Sequence, residues 1–159
     1  MAVTTQKSAQ VTAIDAGSGA LDLNKYGASL RKLEFDFAQS GAGDAGSLAS
    51  LVALPAGKVT VVLPLSRIAF SALGAARTMD LGWLAYTAPD GTAVAADPNG
   101  LDDGVDVSAA GAVVPGGTVG GAETYTFESQ AGVTLTAQVN DGTIPDAATL
   151  DGYVVIAHS

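Results

Sequence analysis

The chain has 159 residues, with 16 acidic side chains against 7 lysines and arginines, a net charge of −9, one histidine and no cysteine. Without cysteine it has neither a disulfide framework nor a thiolate metal site, and a body this acidic repels phosphate backbones, which argues against nucleic-acid binding. The length suits one domain with its own core.

Residues 1–29 show no sustained periodicity. Thr, Gln, Ser, Gly and Ala dominate, and Asp15-Ala16-Gly17-Ser18-Gly19 is a turn or linker signal. The segment reads as an extended N-terminal arm. Residues 1–32 hold four bases and two acids, a net of +2, whereas residues 33–159 hold three bases and fourteen acids, a net of −11. A basic front segment of this kind suits contact with the acidic body of an adjacent copy, and a solvated tail accounts for it equally well.

Regular pattern begins at Leu33-Glu34-Phe35-Asp36-Phe37, whose strict alternation predicts a half-buried strand. Leu48–Leu54 is a short apolar segment stopped by Pro55-Ala56-Gly57. Val59–Leu63 is a β-branched strand, and Pro64 marks an edge, a bulge or a strand end. Ile68–Leu73 continues the sheet or makes a brief helical turn. Met79–Tyr86 reads as a strand with Met79, Leu81 and Trp83 on one face. Pro89-Asp90-Gly91 is a turn, because Pro presets φ and Gly accepts the left-handed region. Residues 97–106 read as an acidic loop. Glu123–Glu128, Val133–Val139 and Gly152–Ala157 are three further strands, with Asn140-Asp141-Gly142 as a turn.

Many short strands and no amphipathic helix of useful length predict an all-β fold over residues 30–159, a β-sandwich of jelly-roll-like or immunoglobulin-like topology. No apolar run is long enough to span a bilayer, and the polar first ten residues lack a signal core, so synthesis and folding in the cytoplasm are expected.

The chemistry-bearing residues are few. Gly41-Ala42-Gly43-Asp44-Ala45-Gly46 matches GxGxxG after a strand. A dinucleotide site also needs a long following helix and an acid after the next strand, which this sequence does not offer; a Gly-rich hairpin loop is the simpler reading. Asp97, Asn99, Asp102, Asp103 and Asp106 concentrate oxygen ligands in the manner of a calcium loop, but their spacing is not that of an EF-hand, and Asx turns account for the same residues. No cofactor is therefore expected. His158 sits next to the C-terminal residue, where a frayed backbone would position it badly, no serine lies in a nucleophile-elbow context, and thirteen of the sixteen acids are aspartates, most of them in turns. The parts for an enzyme are missing. Trp83 and Tyr86 are readable as a ligand platform or, more simply, as core.

Thr4-Thr5-Gln6 in the arm, Gly27-Ala28-Ser29-Leu30-Arg31 leading into Leu33–Phe37, Leu54-Pro55-Ala56-Gly57, Leu73-Gly74-Ala75 with Met79-Asp80-Leu81-Gly82, and the closing Gly152-Tyr153-Val154-Val155 together resemble the decoration (cement) and minor virion structural proteins of tailed bacteriophages. The resemblance spans most of the chain through short motifs. It implies a non-enzymatic β-rich protein made in the host cytoplasm and bound to the outer capsid of the virion, often as a homotrimer. There it would bridge copies of the major capsid protein, without nucleic-acid or membrane partners. On that reading Lys7, Lys25 and Arg31 in the arm, with Trp83 and Tyr86 as anchors, are the candidate partner-binding residues. A head–tail or tail component and a carbohydrate- or receptor-binding sandwich are the alternatives.

Overall fold

In the computed structural model, residues 29–44, 46–120 and 123–158 are described. They form β1 (Leu30–Ala38), β2 (Leu48–Leu54), β3 (Gly57–Val62), a 3-10 turn η1 (Leu63–Leu65), β4 (Arg67–Phe70), β5 (Thr78–Trp83), β6 (Tyr86–Thr87), β7 (Ala93–Val94), β8 (Asp97–Asp106), β9 (Gly111–Val113), β10 (Thr124–Ser129), β11 (Val133–Asn140) and β12 (Thr149–His158). The expected arm, with Lys7 and Lys25, lies outside the described residues.

Two sheets make a sandwich. In the first, β12 is central: Ile156 is opposite Arg31 of β1 on one edge and Val61 of β3 on the other. Further along the same edge, β4 takes over from β3, with Leu150 opposite Phe70. Thus β3 and β4 are one strand position interrupted by η1, and β10 and β9 flank them in the same way. The second sheet runs β2-β11-β5-β8. Along the chain, β1, β3/β4, β9/β10 and β12 belong to the first sheet, and β2, β5, β8 and β11 to the second. Each sheet therefore has four strand positions, and the chain crosses between them at nearly every step. This is the jelly-roll arrangement. The immunoglobulin-like alternative does not hold, because its early strands pair as hairpins within one sheet, whereas β1 and β2 lie in different sheets.

The core lies where the two inner faces meet. Val59, Val61, Ile68, Phe127, Leu150, Val154 and Ile156 from the first sheet pack against Leu54, Met79, Leu81, Trp83, Val133, Leu135 and Val139 from the second. The alternations of β1, β10 and β11 place the expected faces inward: Leu33, Phe35 and Phe37 are half-buried while Glu34 and Asp36 are exposed.

Three local expectations change. Residues 97–106 are a strand, because pairing with β5 overrides their turn-rich composition; the register shift between Leu81 and Trp83 absorbs Pro98 and Gly100, and the one between Met79 and Leu81 absorbs Gly104. Strand β5 ends at Trp83 and is buried on both faces from Met79 onward, not on one. A Cβ on Gly82 would collide with the Asp97 carbonyl, so glycine is what lets β8 close over β5. Finally, His158 is not frayed: it pairs with Val59, and its Nε2 bonds the Ala56 carbonyl at 2.9 Å.

Candidate functional site

The sequence-derived anchor residues separate in space. Arg31 is not in the arm but near the start of β1, exposed, opposite Ile156. Trp83 is no surface anchor: it is 6% exposed, and its ring centroid lies 5.0 Å from Tyr125 and 5.3 Å from Phe127, so it ties the two sheets together. Gly100 lies against the indole, where a side chain would overlap the ring. Tyr86, at the base of the β6–β7 hairpin, is half-buried and meets Phe127 edge-on at 6.1 Å.

The five candidate calcium ligands do not converge, because a strand sends alternate side chains to opposite faces. Asp102 is buried and accepts the amides of Gly116 at 3.0 Å and Gly117 at 2.6 Å, so it anchors the Pro115–Gly117 turn to β8. Burial pushes its carboxyl above the ordinary aspartate value despite those two donors. Asp106 accepts the Ser108 amide, and that bond holds its carboxyl below the usual range. Asn99 and Asp103 are exposed, and Asp97 is half-buried opposite Trp83. Among the described residues no group of three His, Cys, Asp or Glu side chains is placed to hold an ion.

Two open surfaces remain. The first is the outer face of the β1–β12–β4 ladder, a groove of about 750 Å³ that includes Lys32, Glu34, Asp36, Arg67, Asp151 and Tyr153. Lys32 Nζ lies 2.6 Å from Glu34 Oε1 and 5.2 Å from the centroid of the Tyr153 ring. The Glu34 carboxylate raises the Lys32 ammonium above its usual value, and Lys32 in turn lowers Glu34. Asp36 stands directly opposite Asp151, and neither is in an ion pair among the described residues. The second surface is a groove of about 680 Å³ between the β6–β7 hairpin and the outer face of β3–β10, lined by Lys58, Tyr86, Asp90, Thr126 and Glu128. Lys58 and Glu128, cross-strand neighbours on the β3–β10 wall, pair at 3.4 Å. The hairpin above it is fixed by the expected turn: Gly91 has φ +87°, its amide bonds the Ala88 carbonyl at 2.9 Å, and Asp90 accepts the Thr92 amide, which lowers the Asp90 pKa.

Leu30, Leu48, Leu65 and Val114 are large apolar side chains about half exposed. Only composition hints at these surfaces in the sequence, because which strand lies at an edge and which face looks outward follow from strand order. No helix among the described residues is long and apolar enough to cross a membrane.

No protein-family model matches the sequence, and no curated protein matches it. Among solved structures, the chain superposes on one chain of the cyanophage Pam1 capsid asymmetric unit, with TM-score 0.56 and 12% identity, over 99% of this chain and 100% of that one. The two chains share a fold. Weaker matches reach infectious bursal disease virus, the Gt strain particle at TM-score 0.48 and 11% identity and the VP2 subviral particle at 0.48 and 12%. In those two cases the match spans 81% of this chain and about a third of the viral chain (32% and 33%).

Proposed function

We propose that the protein is a structural component of a phage virion, a decoration or cement protein that binds the outer capsid surface and stabilises contacts between major capsid proteins. The observation that carries this reading is the end-to-end likeness in fold to one chain of a capsid asymmetric unit, over 99% of this chain and 100% of that one. The sequence resemblance points the same way. So do the two grooves, which are shallow and open. Such surfaces gain little from a small ligand, but a standard interface of roughly 800 Å² per partner suffices for stable attachment. Repetition over one lattice multiplies weak contacts through effective concentration.

The test is the composition and strength of particles made with and without this gene. Wild-type virions should contain the chain in a fixed ratio to the major capsid protein, and particles lacking it should rupture at lower temperature. Virions containing no copies would overturn the reading.

The groove beside Tyr86 supports a second reading, a coat component that also binds glycans. An aromatic ring bordered by the Lys58–Glu128 pair is suited to stacking a sugar ring and bonding its hydroxyls. Tyr86→Ala would then abolish glycan binding and leave capsid attachment intact.

A further inference from the structure

The four sheet edges are unequal. Against the Arg67–Phe70 strand, the first sheet ends in β9, only three residues long, and beside β3 it ends in β10, six residues long, so that edge is broken. In the second sheet, β8 carries two register shifts against β5, and β2 carries one against β11. Short, bulged and interrupted edges are how sheets avoid pairing with other chains. Strand β1 has none of these protections. All nine of its residues pair one-for-one with β12 without a shift, it contains no proline, and among the described residues no strand lies on its other side. Its outer backbone edge is a template for another strand.

Charge narrows what fits there. Lys32, Glu34 and Asp36 follow one another on the outer face of β1. Two antiparallel copies of β1, related by a two-fold axis normal to the sheet, must place some residue opposite its own copy. Centring on Lys32 opposes two lysines, on Glu34 two glutamates, and on Asp36 two aspartates; centring on Phe35 sets Glu34 against Asp36 twice. Like charges directly opposite destabilise a ladder. Centring on Arg31 opposes two arginines, and centring on Leu30, Phe37 or Ala38 leaves most of the strand unpaired; of the registers that pair more than half of β1, the one centred on Leu33 alone avoids every such clash. It sets Lys32 opposite Glu34 of the second copy in both directions, puts Leu33 against Leu33, and places Leu30 opposite Asp36. In this register the four charges alternate in sign across the seam.

We infer that β1 is a homotypic pairing edge: two copies of this chain join through antiparallel β1 strands centred on Leu33, which fuses their first sheets into one continuous sheet. The pair is independent of capsid attachment, and either stands if the other fails.

The test is sedimentation equilibrium of the purified full chain, with Lys32→Glu, Glu34→Lys and the double variant. Lys32 and Glu34 side chains are 54% and 70% exposed, so far-UV circular dichroism and the melting midpoint should confirm that every variant folds. The wild type should form dimers. Each single reversal, which opposes like charges twice, should weaken dimerisation by at least about tenfold. The double reversal, which restores alternation, should recover it. Alternate amides of β1 already bond to β12, so only the other, outward-facing half of the amides in residues 30–38 should become protected from exchange as dimers form. A wild type that stays monomeric at high concentration, trimers, or dimers indifferent to the single reversals would each overturn the inference. So would protection of the outward-facing amides of β1 in the monomer, which would assign the edge to a segment of the same chain.

Discussion

The hydroxyl of Ser66 accepts the amide of Val155 at 3.0 Å and itself donates to the Val62 carbonyl at 2.9 Å. Ser66 is 2% exposed and lies at the break where η1 separates β3 from β4, so its side chain replaces the ladder bond that the interruption removes. Through this bridge β12 remains continuous although its neighbour is not.

Ser66→Ala should therefore leave a part-buried amide without an acceptor. The expected loss is about 1–3 kcal/mol of unfolding free energy, read from denaturant titration with an unchanged slope. A loss below a few tenths would mean that water or a shifted backbone supplies the bond.

Trp83 is the only tryptophan, and its indole N–H is buried without a partner among the described residues. Trp83→Ala should destabilise by about 3–5 kcal/mol by opening a cavity between Tyr125 and Phe127. Trp83→Phe should cost clearly less, because it removes the unpaired donor along with part of the volume. Both variants that fold should attach to capsids as the wild type does, a result opposite to that expected of a surface anchor; pull-down on purified particles distinguishes the two.

Asp102 sets one pH dependence with a fixed sign. Its folded value is raised above 3.8 by burial, so as pH climbs from about 4 the unfolded chain releases this proton before the native state does. The group's contribution to stability is thus full at acid pH and declines as pH rises through the folded value. Asn at this position cannot titrate. The stability of wild type relative to Asp102→Asn should increase as pH falls from 7 towards 4, measured by denaturant midpoints at each pH; an increase in the other direction would contradict the burial argument.

Asp36 and Asp151, opposite each other on exposed ladder positions, repel. Asp151→Asn should raise the melting midpoint modestly, and the gain should shrink as salt screens the pair. A midpoint that falls would show that the carboxylate is bonded elsewhere.

Strands with period-two alternation were readable directly: Leu33–Phe37, Tyr125 with Phe127, and Val133–Val139 each bury the face that their pattern predicts. Strand β8 was not readable, because Pro98, Gly100 and four aspartates are turn chemistry, and only the partner β5 makes them a strand. Asp80, in β5 itself, is hidden by the strands on either side, its carboxylate accepting the Gly104 amide of β8 and the Asn140 side-chain amide of β11; no local pattern marks such a buried acid. Tyr86 was legible as an aromatic but not as the wall of a groove, since the other wall comes from β3 and β10. The edge position of β1 among the described strands was invisible for a related reason: an edge exists only once strand order is known.

The central claim, that this jelly roll serves as a piece of virus coat, is tested most directly by a cryo-EM reconstruction of the virion at a resolution that separates strands. The account predicts that the sandwich fits density on the outer capsid surface at a defined symmetry position, and that this density is gone from particles lacking the gene. A shell with no such density, in virions shown to be otherwise complete, would contradict it.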